Sequence, residues 1–186
     1  MVGITQLWLP ILLSAVFVFV ASSVIHMVLG YHRADYKKLP EEEKFRDAVG
    51  AMNLPTGTYH IPHCDDHKAM KSPEFQDKMK KGPNALLTVF PNGAPNMGKY
   101  LGCWFAYTLA VGVFVAYLAG RTLGPGEPYL HVFRIAGTVA FCSYAMAHTH
   151  NSIWKGEPWG TAFRFYFDGL IYACLTAGTF GWLWPR

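Results

Sequence analysis

Histidines mark the places where this chain could do chemistry. The stretch Tyr59-His60-Ile61-Pro62-His63-Cys64-Asp65-Asp66-His67 holds three imidazoles, a thiol and two carboxylates. Nitrogen, sulfur and oxygen donors so close together suit zinc or another transition metal, which makes His60, His63, Cys64 and His67 the metal candidates. If Pro62 opens a helix, His63 and His67 stand four apart on one face. The spacing matches no standard zinc motif, however, and no second ligand pair follows downstream. The plainer alternative is a polar loop that touches lipid headgroups or a partner.

A second set lies within or beside apolar runs. His26, His148 and His150 reach the same membrane interface once the chain is oriented, and histidines there are candidate cofactor ligands for haem or (bacterio)chlorophyll. Arg164 and Asp168 are four apart and so neighbours on one helix face, which predicts an intramembrane ion pair. A carboxylate at that depth is a functional site by default, here for protons or a quinone. The structural alternative is that Arg164 simply neutralises Asp168 while the histidines sit among headgroups. The sequence carries no Gly-rich phosphate loop, no GxSxG and no HExxH, so no catalytic residue is assigned.

The elements that must position these groups are long apolar helices. Hydrophobic runs extend over about Gln6–Leu29, Tyr100–Gly120, Tyr129–Ala147 and Thr161–Trp184, each long enough to cross a hydrocarbon core of about 30 Å. The ten-residue alternation of a membrane β-strand is missing. With 52% apolar residues, too little polar surface remains for a soluble bundle. The expected fold is therefore an all-α integral membrane protein. It has four transmembrane helices and a cytoplasmic cap of short helices between the first and second.

Orientation follows from charge. Residues 31–99 hold eleven of the sixteen Lys and Arg. The positive-inside rule then places loop 31–98 in the cytoplasm and both termini outside. The first run is too long, and its N-terminal flank too uncharged, for a cleavable signal peptide, so it reads as an anchor. Cys103, Cys142 and Cys174 lie at lipid depth and Cys64 on the reducing side, which argues against structural disulfides. The loop cations are balanced by carboxylates and explained by anionic headgroups, with no nucleic-acid partner.

Within the loop, Pro40 followed by Glu41-Glu42-Glu43 predicts a helix to about Met52. Ser72-Pro73-Glu74 predicts a second, capped by Ser72, with Lys78, Lys80 and Lys81 in its last turn and Gly82-Pro83 as its stop. Asn92-Gly93 reads as a turn. Small residues recur every four positions at Gly98, Gly102, Ala106 and Ala110, and again at Gly169, Ala173, Ala177 and Gly181. Such seams let helix backbones approach closely in lipid.

Several stretches together resemble a family of small bacterial membrane proteins of acidobacterial and gemmatimonad type. They are Val24-Ile25-His26-Met27-Val28-Leu29, Tyr36-Lys37-Lys38-Leu39-Pro40, Ser72-Pro73-Glu74-Phe75, Asp168-Gly169-Leu170-Ile171-Tyr172 and the ending Phe180-Gly181-Trp182-Leu183-Trp184-Pro185-Arg186. The resemblance implies the four-span architecture in a bacterial inner membrane and no particular activity. The expected role is a non-catalytic accessory subunit of a respiratory or photosynthetic assembly, partnered by lipid and other membrane subunits. One alternative is a protein that binds a cofactor or metal through its histidines. The other is a small transporter or membrane enzyme using Asp168.

Overall fold

The computed structural model describes residues 1–186, of which 69% are helical. They fall into two compact units, Met1–Lys37 with Asn96–Arg186, and Lys38–Pro95. Three helices of the first unit are long and apolar enough to cross a membrane: Ile4–Leu29, Met97–Thr122 and Tyr129–Trp154.

Each begins or ends where the local chemistry requires. Helix α1 (Trp8–Val24) continues into a widened π turn, Ile25–Leu29, and stops at Gly30, whose φ of +62° suits a residue without Cβ. A single 3-10 turn, Tyr31–Asp35, follows. Helix α4 (Met97–Thr122) is capped by the Asn96 side chain, which accepts from the Lys99 amide at 3.0 Å. Helix α5 (Tyr129–Phe141) also widens into a π turn, Cys142–Met146, before α6 (His148–Trp154). Helix α7 (Trp159–Trp182) is the fourth long helix and carries Arg164 and Asp168.

The core of this unit is built from small side chains. Ala15, Val18, Val115, Ala116, Ala119, Val132, Ala136, Ala140 and Ala177 are all buried, with Phe180 filling the centre of one end. In lipid, helices associate by close van der Waals packing more than by hydrophobic drive, so small residues matter most where backbones touch. The seam on α7 does this within the chain. A Cβ on Gly169 would lie 2.6 Å from that of Ala145, and one on Gly181 would lie 2.6 Å from the Tyr129 ring. The seam on α4 does not: Gly98, Gly102, Ala106 and Ala110 all face outward. Both chain ends are tied down. The Val2 amide donates to the Gly120 carbonyl at 2.8 Å, and Trp184 Nε1 donates to the Gly124 carbonyl at 2.9 Å.

The second unit contains α2 (Glu42–Ala51), β1 (Gly57–Ile61), α3 (Pro73–Lys81) and β2 (Ala85–Val89). As expected, Ser72 caps α3 by accepting from the Phe75 amide at 3.2 Å, and Lys78, Lys80 and Lys81 close its last turn. The helices are not alone, contrary to a cap made only of short helices. β1 and β2 pair antiparallel from Gly57↔Val89 to Ile61↔Ala85. No residue of this unit is buried.

Candidate functional site

Asp168 is the starting point because it is a fully buried carboxylate on α7. Burying a charge is costly unless it is paired and hydrogen-bonded. The turn Tyr31–Asp35 supplies the partners. Tyr31 donates its hydroxyl to Asp168 Oδ1, and His32 Nε2 lies 2.7 Å from Asp168 Oδ2. On its other edge His32 Nδ1 is 2.6 Å from Asp35 Oδ2, and Asp35 in turn accepts from Arg164 Nε at 2.6 Å. The chain of contacts runs Arg164–Asp35–His32–Asp168–Tyr31. Only 11% of the His32 side chain and 6% of that of Asp35 are exposed.

The expected ion pair between Arg164 and Asp168 is not formed. A helical side chain leans toward the N-terminus of its helix, so Arg164 reaches back past Thr161 and away from residue 168. Its guanidinium meets Asp35 instead. Burial pushes the Asp35 carboxyl up, but hydrogen bonds from Arg164, His32 and Thr161 outweigh it and hold the group below the usual carboxylate range. The Tyr31 phenol is pushed up, by burial first and then by the Asp168 carboxylate it touches.

His26 joins this cluster from the π turn of α1. Its Nδ1 lies 3.0 Å from the Ser22 carbonyl, and its ring stacks on His32 with centroids 4.5 Å apart and planes 5° from parallel. One ligating atom from each of His26, His32 and Asp168 lies within 4.8 Å of the others. His26 sets Nδ1 against a carbonyl oxygen, which places its N–H there and leaves Nε2 with the lone pair, whereas His32 faces a carboxylate oxygen from each ring nitrogen.

Beside the cluster opens an apolar cleft of about 510 Å³. Trp104, Tyr107, Tyr144 and Tyr172 form its aromatic wall, and His26, His148 and Asp168 its polar end. Both π turns contribute, through His26 and Met27 on one side and Ser143 and Tyr144 on the other. Such local widenings of a helix occur frequently at functional sites. Trp104 is fixed by donating Nε1 to Ser22 Oγ at 2.8 Å, and Tyr107 by donating its hydroxyl to the Ser143 carbonyl at 2.7 Å. His148 stacks on Phe165 at 3.9 Å between centroids. Two buried polar atoms of the wall residues have no partner, His148 Nδ1 and the Tyr172 hydroxyl.

No protein-family model, curated protein or solved structure matches the chain. Function is therefore read from this geometry alone.

Of the histidines singled out in the sequence, His26 and His148 meet at the cleft, whereas His150 is exposed on α6 and lines none of it. The loop set is not gathered around a common point. Pro62 follows a strand and does not begin a helix, so His63 and His67 do not share a helical face. Three of the four make local contacts instead: His60 Nδ1 with the Pro62 carbonyl at 2.9 Å, His63 with Asp65 at 3.2 Å, and Cys64 Sγ donating to the Asp66 carbonyl at 3.1 Å. Sequence reasoning passed over Tyr31, His32 and Asp35. Their signal was a histidine and an aspartate three apart, directly after the first apolar run.

Proposed function

We propose that this chain is a four-span membrane protein that holds a transition-metal ion at His26, His32 and Asp168. One observation carries the proposal. His32 faces carboxylate oxygens with both ring nitrogens, yet a neutral imidazole has only one N–H. With one proton directed to Asp35, Nε2 and Asp168 need a positive charge between them; a second ring proton supplies it at the 2.7 Å separation seen here, and a divalent metal supplies it when the two groups part. Asp35 and the Ser22 carbonyl then act as the outer acceptors that orient a metal-bound histidine. Two imidazoles and one carboxylate suit zinc or iron. A tetrahedral ion with bonds of about 2.0–2.1 Å holds its donors roughly 3.4 Å apart. His32 Nε2 and Asp168 Oδ2, 2.7 Å apart, must therefore part somewhat to admit the ion, while a tilt of the exposed His26 ring brings its own nitrogen in.

Placing α7 as a fourth span is supported by its length and its faces. Its 24 residues rise about 36 Å. Phe163, Phe167 and Leu170 form an outward apolar stripe, while both charged residues are neutralised within the bundle. With loop 31–98 in the cytoplasm of a bacterial cell, the metal lies near the cytoplasmic face of the inner membrane.

The test is metal analysis of protein purified in mild detergent. We expect about one ion per chain, lost in His32→Ala and Asp168→Asn and kept when His60, His63 and His67 are all replaced by Ala. A preparation that stays metal-free after loading, or equal content in His32→Ala, refutes the site.

A second reading, an accessory subunit of a larger membrane assembly, is favoured by the outward seam on α4. Gly98, Gly102, Ala106 and Ala110 are all exposed, and a Cβ on Gly102 would meet nothing within 4 Å. Gly102→Ile should then release co-purifying subunits. An unchanged complex, or a stable monomer in native membranes, refutes this reading.

A further inference from the structure

We propose that the cleft is a binding site for a quinone-class molecule, a flat ring bearing carbonyl oxygens and an apolar tail. This goes beyond the metal site and rests on different atoms, although His26 and Asp168 border both.

Shape and lining narrow the occupant. The volume of about 510 Å³ falls within the range of roughly 300–1,000 Å³ for small-molecule sites. Trp104 stands against Tyr107 at 5.6 Å, Tyr172 at 6.1 Å and Tyr144 at 6.2 Å between centroids. Aromatic walls of this kind favour a planar π system over a bare acyl chain, because ring faces and edges attract one another. Apart from Ser22, Ser23 and Ser143 the remainder of the lining is apolar, with Met27, Met97 and Leu101 all exposed. On a bundle in lipid, exposed apolar residues at a cleft mouth give entry from the bilayer and room for a tail.

The polar end calls for acceptor oxygens. The Tyr172 hydroxyl and His148 Nδ1 are buried without partners, and an unpaired buried polar atom costs about 1–3 kcal/mol. Tyr172 is nine-tenths or more buried. Its O–H needs an acceptor, which a quinone carbonyl supplies; a second carbonyl can take an N–H from the His148 ring. Neither atom reaches solvent as the cleft stands, so the wall must give at Tyr172 and His148 as the ligand settles.

Trp104 makes the site self-reporting, because quinones quench indole fluorescence. Decylubiquinone titrated into protein in nanodiscs should quench saturably, and Trp104→Phe should remove most of the amplitude. Ala147→Phe fills the cleft from one side and should raise Kd more than tenfold. Leu101→Trp blocks the mouth from α4 and serves the same purpose should the first variant misfold. Tyr172→Phe should weaken binding about tenfold, the equivalent of one hydrogen bond to a buried carbonyl.

Chelator-treated protein should bind equally well, which separates this proposal from the metal site. Binding that vanishes with the metal would make the quinone an ion ligand and overturn the cleft assignment. Quenching that is linear and the same in every variant would reduce it to bilayer partitioning. A phospholipid held through native mass spectrometry and not displaced by the quinone would give the cleft to lipid instead.

Discussion

Gly169→Ala and Gly102→Ala make a matched pair, since each adds one methyl to a small-residue seam. At position 169 the new Cβ would sit 2.6 Å from Ala145 Cβ, 3.1 Å from its Cα and 3.2 Å from its amide nitrogen. Carbon atoms rest at about 3.5–4.0 Å, so α7 must move away from the π turn by roughly an ångström. The obstacle is backbone and Cβ, which cannot swing aside. Overpacking of this kind costs about 1–3 kcal/mol, set against about 1 kcal/mol gained from replacing a helical Gly. At position 102 nothing lies within 4 Å of the added carbon, leaving only the gain. Thermal or denaturant unfolding in one detergent should therefore show Gly169→Ala less stable than wild type and Gly102→Ala equal or better. Gly169→Ala should also lose metal, because it displaces Asp168 and the cleft wall together. If Gly169→Ala proves as stable as Gly102→Ala, the packing of α7 against the Cys142–Met146 turn is not as described.

Further outcomes follow from single contacts. Asp35→Asn removes the acceptor that orients His32 and the partner of Arg164, and should lower metal affinity about 10–100-fold as read by competition with a chelating dye. Gly120→Ala would put a methyl 2.4 Å from the Val2 carbonyl oxygen, and should free the N-terminus, seen as fast exchange of the Val2 amide. Ser72→Ala removes the cap of α3 and should cost about 1 kcal/mol of local stability, read as faster amide exchange at Phe75; unchanged exchange there removes the capping role.

What the sequence disclosed was what local chemistry decides. The apolar runs, the Ser72 cap with its closing lysines and the packing role of the Gly169–Gly181 seam all depend on residues a few positions apart. The site depended on separations of more than a hundred residues. Nothing near Arg164 announces that its partner is Asp35 rather than Asp168, because the choice depends on which way a long side chain leans and on what another segment brings to it. The strand pair was hidden for the same reason, since Gly57–Ile61 and Ala85–Val89 are separated by a whole helix. Around His60–His67 composition misled: donors close in sequence fall on a strand end, bends and a turn, and gather around no common point.

The segment Lys38–Pro95 has helices, a strand pair and no interior. A paired ribbon alone is marginal in water, and without buried side chains little opposes the entropy of an open chain. Any partner that bound its ordered form would stabilise it by an amount that grows as the logarithm of ligand concentration. A protease added to inside-out vesicles, which present the loop to the medium, should cut there first. The rate of that cut would act as a meter of occupancy, slowing when a binder is added and recovering when it is washed away.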